Sequence, residues 1–385
     1  MTSTAPVAFF DMKAQQALIR AGIDAGIARV LDHGRFIQGP EVDALEGKLA
    51  AFAGVSHCVG VSSGTDALQI AMMAEGIGPG DAVFLPAFTY TATAEVPLVL
   101  GAAPVFVDVE EATFNLDLPD LERRVERVAR EGRLRPRAVV GVDLYGLPAD
   151  WPAIEALCAR HGMFALDDAA QAFGARLHGK RLGGWGDAAA CSFYPTKTLG
   201  CYGDGGALLT DDPERAALYR SLRTHGEGAS RYEVLRTGMN GRLDSIQAAI
   251  LLEKSTLLEG ELAARARVAE WYADRLRPPV AVPAAPPGFE SAWGIYSVLL
   301  PDAAARDRVQ AALRADGLPF AVYYPKPLHH QPAYRAAHAA SFDTAPPPPL
   351  PMSEDLSARV LSLPMHPYLT EAQVARVARA VMSAL

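Results

Sequence analysis

The sequence predicts an α/β protein with a large domain on a mainly parallel sheet and a smaller α+β domain towards the carboxyl terminus. At 385 residues the chain exceeds the size at which one hydrophobic core keeps growing, so two domains are expected. Short apolar runs, several of them followed by helical sequence, fill the first two-thirds, as in parallel sheets covered on both faces. Composition changes beyond this region. We therefore place the large domain at residues 1–255 and the small domain at residues 256–385.

The large domain begins with helical sequence and continues with alternating strand and helix patterns. Apolar residues spaced by three and four predict an amphipathic helix over residues 41–53. A second helical pattern follows a short apolar run and ends at Gly76. The predicted strands lie in the apolar segments 57–63, 81–87, 103–109, 137–146, 164–170 and 188–195.

The small domain follows a long predicted helical stretch over residues 245–276. Residues 278–290 are rich in proline, which predicts a linker or turn region. The predicted elements after this linker are the apolar segments 293–300 and 319–325 and the helices over 305–317 and from Glu371 onward. This mixture indicates an α+β unit.

Composition excludes several classes of protein. The net charge of −8 argues against nucleic acid as the main partner, because binding to a phosphate backbone needs a basic surface. The first residues lack a basic region followed by a long apolar run, and the apolar stretches elsewhere are too short to span a bilayer. We therefore expect a cytoplasmic protein without membrane contact. The four cysteines have no CxxC spacing, so neither disulfides nor zinc are expected.

The six lysines allow a search for one that could hold a carbonyl cofactor. Four lie in amphipathic helical segments or a polar turn, where a solvated amine is expected, which leaves Lys326 and Lys197. Lys197 follows an apolar strand and precedes a glycine-rich segment that would let a cofactor approach the backbone. Burial there would lower its pKa and favour the neutral amine that attacks carbonyls. Without further matches, an ordinary loop lysine is the more common explanation of such a position.

Three further segments have the residue types that such a cofactor needs, although each has a structural explanation as well. SSGTDALQ (62–69) predicts a strand-to-helix junction, which suits a phosphate or an ordinary helix cap. LDDAAQAFGA (166–175) places paired carboxylates at a strand end, where a protonated pyridine nitrogen, an ion pair or a metal could neutralise them. PAFTYTATA (86–94) supplies Phe88 and Tyr90, which could cover a planar ring or pack in the core.

These segments, in this order, resemble the sugar aminotransferases of the DegT/DnrJ/EryC1/StrS family. The resemblance begins at residues 35–55 and continues through SSGTDAL, PAFTYTATAE, LDDAAQAFGA and SFYPTKTLGCYGDGGA to GMNGRLDSIQAA and YYPKPLHHQPAY. It therefore spans nearly the whole chain. It implies the fold type I of pyridoxal-phosphate-dependent transferases, which is that of aspartate aminotransferase, with pyridoxal 5'-phosphate as the cofactor.

The resemblance assigns the residues around the cofactor ring. Lys197 matches the lysine that holds the cofactor as a Schiff base and moves protons as general base and acid. Asp168 matches the acid that keeps the pyridine nitrogen protonated, so that the ring accepts electrons. Gln171 matches the residue beside the ring hydroxyl, and Phe88 matches the aromatic residue over the ring.

The resemblance also assigns the phosphate and substrate contacts. Gly64, Thr65 and Ser192 match the phosphate cradle. Asn240 matches a residue that reaches the phosphate from the neighbouring subunit, which implies a homodimer with shared active sites. The positions that match contacts to the sugar nucleotide are Arg242, Tyr324 and His329. For Arg242, a structural salt bridge is the alternative.

The implied reaction moves an amino group from L-glutamate to a nucleotide-linked keto sugar in polysaccharide or lipopolysaccharide biosynthesis. The string around Lys197 resembles enzymes that aminate C3 of a UDP-linked 3-keto-N-acetylglucosaminuronate. Enzymes for dTDP-linked 3-keto-6-deoxyhexoses have similar strings, and many relatives have Asn or Pro where this chain has Thr198. A non-catalytic regulator that binds pyridoxal phosphate is the alternative from another class.

Two other hypotheses are disfavoured by the residues. GCYGDGGA (200–207) leads into an apolar run and not into the helix that a dinucleotide fingerprint requires, which argues against a dehydrogenase. His329 and His330 could suggest a metal site, but adjacent residues in an extended stretch would point in opposite directions. We therefore expect no metal.

Overall fold

A seven-stranded sheet is the centre of the first two-thirds of the protein. The computed structural model describes residues 6–230, 232–342 and 348–385. Across the sheet the strands are ordered β1 (His57–Val61), β9 (Gly206–Thr210), β8 (Ala188–Ser192), β5 (Phe164–Asp168), β4 (Arg135–Val142), β2 (Asp81–Pro86) and β3 (Ala103–Val107). Six of these strands point the same way, because β9 is antiparallel to both its neighbours and every other pairing is parallel. The mainly parallel α/β fold is thus confirmed.

Helices cover both faces of this sheet. The helices of this region are α1 (Met12–His33), α2 (Pro40–Ala53), α3 (Gly64–Ala74), α4 (Ala92–Val99), α5 (Leu118–Glu131), α6 (Trp151–His161) and α7 (Pro213–Leu222). On one face Ile70 and Met72 of α3 pack against Leu166 of β5, and on the other Trp151 of α6 packs in the layer that contains Phe84. A strand that is buried on both faces has a continuous apolar sequence, and for this reason most strands of the central sheet could be predicted.

Several elements differ from the sequence prediction, among them one strand of the central sheet and one long helical stretch. The strand β9 was not predicted, because its short apolar run follows glycines and resembles a loop. The helical stretch predicted over 245–276 is two helices, α8 (Ser245–Lys254) and α9 (Leu258–Ala273), with Ser255 capping the first.

A separate buried cluster lies towards the carboxyl terminus. The remaining elements are β6 (Arg176–Leu177), β7 (Lys180–Arg181), β10 (Phe289–Glu290), β11 (Tyr296–Leu299), α10 (Ala303–Ala315), α11 (Pro332–Phe342), α12 (Pro351–Arg359), β12 (Val360–Leu363) and α13 (Glu371–Ser383), with 3₁₀ turns η1 (Leu144–Gly146) and η2 (Leu328–His330). The antiparallel strands β11 and β12 pack with α9, α10 and α13 through residues such as Tyr272, Val309 and Val377. The division at residue 255 stays a prediction.

Among the described residues, no helix combines the length and the apolar character that a membrane span requires. The first five residues, which contribute to the prediction that no signal peptide is present, lie outside the described part of the chain.

Candidate active site

A cavity of about 700 Å³ opens at the edge of the sheet where the parallel strands end. Its walls are the segments that follow β1, β2, β5 and β8, because strands that point the same way bring their carboxyl ends to one edge. Its volume suits a cofactor or a small-molecule substrate. The predicted site residues that line it are Gly64, Thr65, Asp168, Gln171, Ser192, Lys197 and Tyr324.

A tight turn after β8 presents Lys197 to the cavity. The Lys197 backbone N–H donates to the Tyr194 carbonyl at 2.9 Å. The next residue, Thr198, is buried and its Oγ1 donates to the Phe173 carbonyl at 3.0 Å. This side-chain bond fixes the turn to the segment after β5, so the position of the lysine is set by the fold.

The electrostatic surroundings of Lys197 favour its neutral form. Burial lowers the pKa of the Lys197 amine, and the nearby Asp168 carboxylate offsets this effect only in part. A neutral lysine amine is the form that attacks a carbonyl carbon and can accept a proton. Burial therefore increases the neutral, nucleophilic fraction of this amine in the cavity.

Asp168 ends β5 and lines the same cavity. Thr93 Oγ1 donates to Asp168 Oδ2 at 2.8 Å, and the Ala170 N–H donates to Oδ1 at 3.3 Å. Burial raises the pKa of Asp168, whereas Thr93, Ala170 and Lys197 lower it. Because burial prevails, a cationic ligand group facing this carboxylate would stabilise its charged form.

The amino-terminal end of α3 forms a narrow cradle. Gly64 is the first residue of the helix. The Asp66 N–H donates to Ser63 Oγ at 3.0 Å, so the N–H groups of Gly64 and Thr65 are the ones available to an anion. A Cβ at Gly64 would lie 2.7 Å from Ser192 Cβ, and a Cβ at Gly206 would lie 2.5 Å from the Ser63 carbonyl oxygen. Glycine is thus required at both positions for three chain segments to meet here. Thr65 and Ser192 add hydroxyl groups to the lining.

Gln171 and Tyr324 are joined at the cavity wall. Gln171 Nε2 donates to Tyr324 Oη at 3.0 Å, and the Tyr145 N–H donates to Gln171 Oε1 at 2.9 Å. Burial raises the pKa of Tyr324, so the phenol is neutral near pH 7. This chain of bonds orients both polar groups.

Phe88 does not reach the cavity, which corrects its predicted position over the cofactor ring. The Phe88 side chain is fully buried, with its ring centroid 6.1 Å from that of Phe114, and it is absent from the cavity lining. The chain bends after β2 ends at Pro86, so Phe88 turns back into the apolar layer. Tyr90, two residues later and 57% exposed, faces the cavity instead.

Asn240 and Arg242 also lie outside the cavity lining of the same chain. Asn240 is exposed and its backbone pairs with Thr224, while Arg242 pairs with Val61 at the end of β1. The contact expected from Asn240 is to the site of a neighbouring subunit, so it stays a prediction. The predicted contact of Arg242 with the sugar nucleotide stays a prediction as well.

The two adjacent histidines do not point in opposite directions, so this part of the sequence argument is wrong. Residues 328–330 form the turn η2, and both Nε2 atoms lie beside Glu354 Oε1, at 3.1 Å from His329 and 3.3 Å from His330. His329 is buried and is not part of the cavity lining. These three residues are a group that could hold a metal ion by proximity.

The protonation of His329 favours a hydrogen bond over metal coordination. Burial lowers the pKa of His329, so the ring is neutral near pH 7. Its Nδ1 is buried without a hydrogen-bond partner among the described residues, which places the proton on Nε2, facing Glu354. A hydrogen bond from Nε2 to Glu354 accounts for the position of this ring without a metal, and the absence of a metal site stays our prediction.

Sequence reasoning gave no role in the site to Thr93 or Lys326, and it named Tyr90 only as one of two aromatic residues that could cover a planar ring. Thr93 and Asp168 are 75 positions apart, so no local pattern indicates their bond. Tyr90 was available in the segment 86–94, but the bend after β2 decides which aromatic faces the cavity. Lys326 was set aside only because Lys197 suited a carbonyl better.

The chain is similar over its whole length to proteins of one family. The model of the DegT/DnrJ/EryC1/StrS aminotransferase family matches residues 18–382. The UDP-2-acetamido-2-deoxy-3-oxo-D-glucuronate aminotransferase of Pseudomonas aeruginosa is 45% identical over 96% of this chain and 97% of its own length. The dTDP-3-amino-3,4,6-trideoxy-alpha-D-glucose transaminase of Streptomyces venezuelae is 40% identical over 98% of this chain and 96% of its own.

A solved structure agrees with both fold and family. The crystal structure of DesV from S. venezuelae, in complex with a ketimine intermediate, superposes with a TM-score of 0.91. The two chains are 40% identical, and the match covers 99% of this chain and 98% of DesV. With the cavity, the buried carboxylate and the lysine in one fold, the chain belongs to the DegT/DnrJ/EryC1/StrS aminotransferase family.

Proposed function

We propose that the cavity binds pyridoxal 5'-phosphate and uses it to move an amino group from L-glutamate to a nucleotide-linked keto sugar. The observation that carries the proposal is that Lys197, Asp168 and the cradle at Gly64 share one cavity. The narrow cradle suits a phosphate, and the buried Asp168 carboxylate suits a protonated ring nitrogen. Bound pyridoxal phosphate supplies a carbonyl that takes up the amino group and a ring that accepts electrons from the substrate carbon.

The residues of the chain have separate tasks in this proposal. The Lys197 amine, with its pKa lowered by burial, accepts a proton from the amino donor and returns one to the acceptor. Asp168, oriented by Thr93, holds the ring nitrogen in its charged form. Gly64, Thr65 and Ser192 bind the phosphate. Overall, glutamate and the keto sugar become 2-oxoglutarate and the amino sugar.

For the acceptor we propose a UDP-linked 3-keto-N-acetylglucosaminuronate, aminated at C3. The 45% identity to the P. aeruginosa aminotransferase supports this choice. The 40% identity to the S. venezuelae transaminase supports a dTDP-linked 3-keto-6-deoxyhexose as the second candidate. Both acceptors suit an enzyme of polysaccharide or lipopolysaccharide sugar biosynthesis. A cytoplasmic homodimer, with Asn240 reaching the phosphate of the neighbouring subunit, completes the proposal.

The first experiment is an absorbance spectrum of the protein with pyridoxal phosphate, before and after L-glutamate. We expect a visible band that glutamate removes, absent from Lys197→Ala and retained by Lys48→Ala, which deletes an exposed lysine of α2. A wild-type protein that binds the cofactor but ignores amino donors would contradict the proposal.

The acceptor is tested with the glutamate-treated enzyme. Mass spectrometry after addition of each keto sugar separately would show which one becomes the amino sugar. Amination of only the dTDP-linked sugar would replace the first acceptor by the second.

A further inference from the structure

An unpaired lysine stands at the mouth of the cavity. Lys326 lines the cavity and is exposed, and it forms no ion pair with any described residue. Lys197 is the other cation among the described lining residues, and its pKa is lowered by burial. Lys326 is therefore the cation that this chain offers to an anionic group of a bound substrate.

The backbone around Lys326 fixes where its side chain begins. Pro325 and Pro327 flank it, and each proline ring restricts φ. Just beyond them, the Leu328 N–H donates to the Ala87 carbonyl at 2.8 Å, which ties this segment to the end of β2. Little backbone freedom is lost on binding a ligand here, because the segment is already held.

No acidic residue of the described cavity lining pairs with Lys326, so its partner would be an anionic group of a ligand. The acidic residues of the lining are Asp168, which is bonded to Thr93 inside the cavity, and Asp204, which is exposed and forms no ion pair with Lys326. The chain has a net charge of −8, so carboxylates are plentiful, yet none of the described ones forms an ion pair with Lys326. Lysine binds carboxylates and phosphates as a point charge.

We propose that Lys326 is a specificity-determining residue that binds the substrate carboxylate remote from the reacting carbon. This inference rests on the proposed function, in which two carboxylate-bearing compounds use the cavity in turn. The carboxylate has two sources, namely C6 of the uronate acceptor and the side chain of glutamate. Because the two never occupy the cavity together, one lysine can serve both.

The first test measures equilibrium binding, without turnover. Unreactive UDP-N-acetylglucosaminuronate and UDP-N-acetylglucosamine, which differ by the carboxylate, are titrated into the holoenzyme by calorimetry. We expect wild type to bind the uronate about tenfold more tightly, as one partly exposed charged hydrogen bond provides. Lys326→Met should bind both equally, and Lys326→Arg should keep the preference. Lys48→Met, which lowers the net charge equally, is the matched control.

The second test separates the donor from the acceptor. The rate at which the cofactor band disappears is compared for L-glutamate and L-glutamine in wild type and Lys326→Met. A preference for glutamate that falls about tenfold in the variant assigns the lysine to the donor carboxylate. Loss of either preference supports the proposal and identifies the source.

Retention of both preferences by Lys326→Met overturns the proposal, because the substrate carboxylate would then be bound by a group other than Lys326. This failure is distinct from failure of the proposed function, in which wild type would show no response to any amino donor.

Discussion

Replacement of Asp143 by Asn should change how the stability of the protein depends on pH. Asp143 follows β4 and is fully buried, and its Oδ1 accepts bonds from the Ala149 N–H at 2.7 Å and Trp151 Nε1 at 3.0 Å. Asp167, also fully buried, lies beside it, and the pKa of Asp167 is raised by burial and by the neighbouring Asp143 carboxyl group. Two adjacent carboxyl groups without a cation favour protonation.

The magnitude follows from the pKa of Asp143. Burial raises this pKa to about 7, against an ordinary aspartate value of about 3.9. Between these two values the folded protein holds a proton that the unfolded chain has lost, so the free energy of unfolding falls as pH rises. The slope is about 1.4 kcal/mol per pH unit well below the folded-state pKa and half of that at the pKa itself, so roughly 3 kcal/mol is lost between pH of about 5 and about 8. Above that pH both states are ionised and the loss is complete.

Asp143→Asn removes this titration and keeps the acceptor of both bonds. With an unfolding entropy of about 2.1 cal/mol/K per residue, roughly 3 kcal/mol corresponds to about 4 °C in Tm. We therefore expect the Tm of the variant minus that of wild type, measured at pH of about 5, 6, 7 and 8, to rise by about 4 °C across this range and then to level off.

The matched control is Asp150→Asn. Asp150 is exposed, caps the start of α6, and can be replaced there by Asn, which caps equally well. Its Tm difference from wild type should be constant with pH. A constant difference for Asp143→Asn as well would refute the reasoning, because it would mean that Asp143 is ionised in the fold throughout this range.

Two further predictions concern the cofactor site. Gly64→Ala should weaken pyridoxal phosphate binding at least about tenfold in a fluorescence titration, because the new Cβ would displace Ser192. The control Gly47→Ala, which has open space around its Cβ, should leave the affinity unchanged. Equal affinities of the two variants would contradict the assignment of the phosphate cradle to Gly64. Thr93→Val should weaken cofactor binding about tenfold to a hundredfold, because it removes a hydrogen bond to the Asp168 carboxylate. Thr93→Ser, which keeps the hydroxyl, should bind the cofactor nearly as tightly as wild type. Unchanged affinity of Thr93→Val would show that this bond does not orient Asp168.

The part of the site that could be predicted from sequence is the part fixed by strand direction. Asp168 and Ser192 end apolar runs, and Gly64 begins a helix just after one. Parallel strands bring such positions to one edge whatever the loops between them do. Lys197 lies five residues beyond the end of β8, in a turn held by its own short-range bonds. The family resemblance assigned the roles of these four residues, and the direction of the strands explains why they share one cavity.

Predictions failed where the direction of a side chain depends on a bend or a turn. Phe88 and Tyr90 are two residues apart and would share one face of a strand, but the strand ends before them. His329 and His330 would point apart in an extended chain, but residues 328–330 form a 3₁₀ turn. In both cases the residue type was informative and the local backbone was not. The contact of Asn240 depends on a second subunit, which no pattern within one chain describes.

The cradle at Gly64 depends on the strand that the sequence did not reveal. Because β9 runs against its neighbours, its first residue, Gly206, lies at the same edge as the carboxyl ends of the parallel strands. There its backbone approaches the Ser63 carbonyl so closely that a Cβ would lie 2.5 Å from it. A side chain at Gly206 would therefore push Ser63 and the start of α3 away from Ser192. Gly206 thus serves the close packing of three segments around the cradle, a role different from that of a glycine in a dinucleotide-binding motif.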